Sequence, residues 1–117
     1  GKGIKKSLNL IKKKIRKISI NKIKSGSIAF DWKIPPEWNI KNAYILDKNK
    51  KKIIDFKNNN LHLVNYSIPI NKFFKRDELL KKIYSLPTQP NAIPYVTSYY
   101  KRDWGFCLPY KQYRKLK

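Results

Sequence analysis

The stretch Ser27-Ile28-Ala29-Phe30-Asp31-Trp32-Lys33-Ile34-Pro35-Pro36 (27–36) decides the fold class. Ile28, Phe30, Trp32 and Ile34 alternate with Ala29, Asp31 and Lys33, a period of two that places the apolar side chains on one face of a strand. Pro35 and Pro36 end that strand, because proline brings no N–H to a ladder. Upstream the period is different. Ile4, Leu8, Ile11, Ile15 and Ile18 recur at steps of four and three, which is one stripe on a helix and predicts helix over 4–17. That stripe is narrow and holds no Trp or Phe, so burial against a sheet is expected in preference to a membrane surface. A helical period followed by a strand period predicts an α+β chain: an amphipathic N-terminal helix, then a β-rich region with hairpins and short helices.

Working outward from there, the β-prone runs 42–47 and 52–57 flank Lys48-Asn49-Lys50-Lys51 and predict an antiparallel hairpin. Asn58-Asn59-Asn60 marks a turn. Residues 61–70 predict another strand, ended by Pro69 and Asn71. Asp77 is the expected N-cap of a helix carrying Leu79, Leu80, Ile83 and Tyr84 and stopping before Pro87. Pro87, Pro90 and Pro94 fix an irregular segment, and 95–100 with 104–108 predict a second hairpin around Lys101-Arg102-Asp103. The tail 109–116 predicts a helix with Pro109 at its first position.

Charge is the loudest compositional feature: 28 Lys and Arg oppose 7 acidic residues, a net charge of +21. Such a surface attracts nucleic acid or anionic membrane. However, 24 of the 28 cations are Lys, whereas base reading and bidentate phosphate binding favour the planar fork of Arg. Lys, Ile and Asn, the residues of A- and T-rich codons, dominate the chain, so codon drift at solvated positions accounts for most of the charge. The expectation is nonspecific nucleic-acid binding at low salt only, with no membrane partner. No run reaches the roughly 18 apolar residues of a membrane-spanning helix. The start, Gly1-Lys2-Gly3-Ile4, has neither an initiator Met nor an apolar signal core, which reads as a portion of a longer protein. Cys107, alone of its kind, excludes an internal disulfide and fits a reducing, cytoplasmic setting.

Candidate chemistry is sparse. A hydrolytic metal needs three or four converging His, Asp, Glu or Cys ligands, and this chain has one histidine, His62, with no H-x-D or HExxH spacing around it. Cys107, within Phe106-Cys107-Leu108, is expected in the core with its thiol pKa raised rather than as a nucleophile. There is no glycine-rich phosphate loop and no carboxylate pair of glycosidase type. No catalytic residue and no metal ligand is therefore assigned. The segment 95–113 concentrates Tyr95, Tyr99, Tyr100, Trp104, Phe106, Tyr110 and Tyr113 beside Lys101, Arg102 and Lys111. Such a mixture can stack bases or sugars, but in a strand pair half the rings must face inward, so core packing is the main expectation.

Three ordered segments, FDWKIPPEWNIKNAYI (30–45), IIDFKNNNLHLVNYSIPIN (53–71) and SLPTQPNAIPYVTSYYKRDWGFCL (85–108), resemble the bacterial proteins with a zinc aminopeptidase-like domain. The opening GKGIKKSLNLI is similar to that family's first helix. The resemblance implies a larger α/β parent of the zinc-exopeptidase type, with an inserted domain of uncharacterised function, often a C-terminal winged helix, and an association with polysaccharide biosynthesis. It implies that residues 1–40 begin the aminopeptidase-like domain and that 41–117 belong to the inserted β-rich region. It also implies zinc in the intact parent, with ligands beyond Lys117 and none bound here. The partners implied are the remainder of the parent chain and a peptide or small-molecule substrate. His62, Tyr99, Tyr100, Trp104, Gly105 and Phe106 fall at the family's signature positions and are the candidates for a structural or substrate-side role. One departure is the first helix, because residues 1–24 hold no Asp or Glu. The alternative function, from a different class, is a small basic nucleic-acid-binding module.

Overall fold

The computed structural model describes residues 1–15 and 17–117. The backbone divides into two compact units, Gly1–Lys41 and Asn42–Lys117.

The first unit begins with helix α1, Lys2–Lys14. Its Lys2 N–H, unpaired within the helix, donates to Asn39 Oδ1 at 3.3 Å, which serves the first turn in place of a side-chain cap on Gly1. Lys12, Lys13 and Lys14 crowd the last turn, where cations suit the helix dipole. Ile15 is already extended, so the helix is shorter than the expected 4–17, and residue 16 lies outside the described residues. Expected burial of its stripe is not observed. No residue of α1 is buried, and Ile4 is 67% exposed.

The alternating stretch 27–36 is not one strand either. It folds back as β1, Ile28–Ala29, and β2, Trp32–Lys33, paired antiparallel with Ala29 opposite Trp32. Gly26 N–H donates to Ile34 O at 2.7 Å and Ile34 N–H to Ser27 O at 2.9 Å, which closes the hairpin. Phe30 occupies the turn with φ +56°, so the period-two pattern persisted while the chain reversed.

In the second unit β3, Tyr44–Leu46, and β4, Lys52–Asp55, form the expected antiparallel hairpin, with Ile45 opposite Ile54 and a bulge at Ile45/Leu46. Asp47 shapes the loop. Its Oδ1 accepts from Asn49 N–H at 2.9 Å and Lys51 N–H at 2.8 Å, the local capping that makes Asp a turn residue. Residues 61–70 do not form a regular strand. A 3₁₀ turn, Asn60–His62, is followed by isolated bridges from Leu63 to Phe106 and Asn65 to Thr97. Tyr66, at φ +63°, breaks the pleat, and Ser67 N–H turns back to Val64 O.

Helix α2 is only Arg76–Leu80, and Asp77 stands in its first turn rather than at the cap, which is Lys75. Glu78 reaches back to accept from the Lys75 N–H at 3.3 Å. Ile83–Tyr84, expected as the helix continuation, is strand β5, and it pairs in parallel with β6, Phe106–Cys107. The expected hairpin of 95–100 with 104–108 is therefore absent: β6 is claimed by β5, and Thr97 by Asn65. The tail helix is present as α3, Tyr110–Leu116, with Pro109 one position earlier, at the N-cap. Gln112 Nε2 donates to Ile53 O at 2.9 Å and ties α3 to β4.

The core consists of Ile45, Ile54, Ile83, Trp104, Phe106 and Leu108, with Phe74, Leu79, Leu80, Tyr113 and Leu116 packed against it. Leu108 and Cys107 are fully buried. Burying a Leu of this kind stabilises by about 2 kcal/mol relative to exposure.

Candidate functional site

Four of the six candidate residues, His62, Trp104, Gly105 and Phe106, lie at β6. Gly105 enters it, and its missing side chain is a packing requirement. A Cβ there would lie 2.8 Å from Lys82 O, 2.9 Å from Tyr84 Cε2 and 3.0 Å from Val64 Cγ2. The Gly105 carbonyl accepts from Val64 N–H, and Phe106 N–H donates to Lys82 O, so the segments around 64, 83 and 105 lock together where no long strand exists. Trp104 and Phe106 are buried, their rings 6.5 Å apart and edge to face, and Phe74 packs on Trp104 at 4.8 Å.

His62 is half-buried at the end of the 3₁₀ turn, and its Nδ1 lies 2.9 Å from the Cys107 carbonyl. A carbonyl only accepts, so Nδ1 carries the proton in this contact. The Cys107 thiol itself is buried, and burial pushes its pKa up to about 11, which leaves it in the unreactive thiol form. The expectation of a core cysteine agrees with this placement.

An ion pair braces the Trp104 ring. Lys82 Nζ pairs with Asp103 Oδ1 and lies 5.9 Å from the Trp104 ring centroid. The hydrogen bond from Lys82, and then that from the Trp104 N–H, hold the Asp103 carboxyl below the usual carboxylate range. Lys82 and Asp103 are 21 residues apart, and Lys82 lies outside the segment 85–108 that holds Asp103, so no local pattern could have joined them.

The remaining aromatics separate into two groups. Tyr99 is half-buried, set edge to face against Tyr66 at 4.9 Å and Tyr100 at 4.8 Å. Tyr100 is 89% exposed, and Tyr95, exposed as well, accepts from Asn65 Nδ2. Tyr110 and Tyr113 stack at 6.1 Å and form one wall of a groove of about 360 Å³, completed by Ile83, Tyr84, Ser85, Leu86, Pro87, Pro94 and Val96. The groove is mainly apolar and its lining contains no carboxylate, histidine or lysine, so it offers shape and ring faces. Tertiary contact, with no local pattern behind it, joins 83–87 to 110–113.

Among the described residues no three of His, Cys, Asp or Glu converge on a possible ion. His62 spends one ring nitrogen on a carbonyl and Cys107 is a buried thiol, so these residues do not fit a zinc centre. Among the described residues, no helix is long and apolar enough to cross a membrane.

A Clostridium acetobutylicum protein, provisionally named a polysaccharide biosynthesis protein with aminopeptidase-like domain, is 44% identical over 116 residues, 99% of this chain and 26% of its own length. The crystal structure of a chain provisionally named a peptidase, also from Clostridium acetobutylicum, superposes with a TM-score of 0.93 at 44% identity, covering 100% of this chain and 28% of that one. The chain thus spans about a quarter of the length of the relatives it matches. With the sequence model of a domain of unknown function, DUF2172, matching residues 37–117, the chain belongs to that family.

Proposed function

We propose that this chain is the N-terminal, non-catalytic portion of a zinc-dependent aminopeptidase-like hydrolase linked to polysaccharide biosynthesis. One observation carries the reading: 44% identity over 99% of the chain to a relative whose name includes an aminopeptidase-like domain and of which only 26% is matched. On this reading Trp104, Gly105 and Phe106 are scaffold, and His62 anchors the segment before them. Tyr99 and Tyr100 supply a face toward the substrate, a peptide or another small molecule. Zinc is held by residues of the longer polypeptide, where it would polarise the scissile carbonyl and activate water. The setting proposed is the cytoplasm.

The test compares the longer polypeptide with the 117-residue chain on amino-acid amides. The longer protein should hydrolyse them and lose activity to a chelator. The shorter chain, supplied with zinc, should give no turnover. Hydrolysis by the 117-residue chain with stoichiometric zinc would overturn the reading.

A further inference from the structure

The first unit exposes apolar side chains that a free-standing surface does not need. Phe30 is 101% exposed, Ile28 70% and Ile4 67%, and Trp32 adds a partly exposed indole. Phe30 also holds the left-handed conformation, φ +56°, at a hairpin turn where Gly, Asn or Asp is the favourable choice. A bulky ring kept at such a position, with its whole surface in solvent, is explained by something that covers it.

We propose that the α1 stripe and the Phe30 hairpin tip are docking surfaces for the remainder of this chain's own longer polypeptide. The inference rests on the reading that the chain is a portion of such a protein. The solved relative gives the argument for the occupant, because its backbone matches all of this chain at TM-score 0.93 while only 28% of it is used in the match. More than two thirds of a chain of that kind is therefore available to cover these faces. Charge defines the chemistry of the covering surface. The helix carries Lys2, Lys5, Lys6, Lys12, Lys13 and Lys14 and no acid, so the complementary face is an apolar centre with an acidic rim. A lipid surface is the poorer occupant, since the stripe is narrow and α1 has no aromatic anchor. A second copy is poorer still, because chains of charge +21 repel one another.

The test is cysteine accessibility within the longer polypeptide, using Phe30→Cys and Ile4→Cys with the exposed loop variant Lys48→Cys as the reference. Phe30→Cys and Ile4→Cys should react with a maleimide at least about ten times more slowly than Lys48→Cys, and the difference should vanish in urea. Equal rates for the three variants would overturn the proposal. Protection that grows with protein concentration would assign the face to a second copy, and protection that needs phosphatidylglycerol vesicles would assign it to lipid. Both outcomes overturn it. Hydrolysis of amino-acid amides is measured on the same samples. Protection without hydrolysis sustains the docking surface and counts against the hydrolase reading alone, whereas hydrolysis without protection overturns the docking surface alone.

Discussion

His62 Nδ1 donates to the carbonyl of Cys107 at 2.9 Å, joining positions 45 residues apart. That contact ties the 3₁₀ turn to β6. His62→Ala would strand the Cys107 carbonyl, and an unsatisfied buried acceptor costs about 1–3 kcal/mol. The expected result is a lower urea midpoint with an unchanged slope. A midpoint equal to that of the parent chain would show that water replaces the imidazole at no cost.

Gly105→Ala tests the tight crossing of the three segments. The nearest atom to the new Cβ is backbone, Lys82 O at 2.8 Å, and cannot swing aside. Overpacking of this sort destabilises by about 1–3 kcal/mol. Thermal unfolding should show the loss clearly, and an Ala variant as stable as the parent chain would mean that 82–84 moves freely.

Asp103 gives a pH dependence of defined sign. Its folded pKa lies below the unfolded value of about 3.9, so its contribution is present above that value and disappears as pH falls through the lower folded one. Asp103→Asn should therefore lower the melting temperature at pH 7, and the gap to the parent chain should narrow at about pH 3. A gap that stays constant across that range would remove the carboxylate from the account.

Cys107 should be silent to thiol reagents in the folded state. Its thiol is buried and raised to about 11, so at pH 8 only about one thiol in a thousand is ionised. Reaction with a disulfide reagent should follow the population of unfolded chain across a urea titration. A fast reaction without denaturant would mean that β6 opens locally.

How much of this was legible beforehand depends on the range of the forces involved. The β3–β4 hairpin and α3 were legible because Asp47 and Pro109 act on their immediate neighbours. The interior placement of Cys107 and Phe106 followed from an apolar run. The reversal at Phe30 was not legible, since a two-residue turn leaves the alternation of side chains intact on both sides. Ile83 and Tyr84 fit a helical stripe after Leu79 and Leu80, yet pairing with Phe106 and Cys107 outweighed local preference. For the candidate residues, the family resemblance named His62, Tyr99, Tyr100, Trp104, Gly105 and Phe106, but it could not supply the pairing of Lys82 with Asp103 or the groove beside Tyr110 and Tyr113. Those are assembled by tertiary contact alone.

The second unit is stitched together across long stretches of sequence: Val64 to Gly105, Asn65 to Val96, Phe106 to Lys82 and Gln112 to Ile53. Closing such loops precedes the reward of making them, so this unit should fold slowly for its size. During synthesis the β3–β4 hairpin emerges first, with the apolar side of Ile45 and Ile54 uncovered until the segment from Trp104 to Leu108 follows it. A ribosome that pauses before residue 104 would hold a sticky nascent hairpin in the open, which makes chaperone demand a property of codon order as well as of structure.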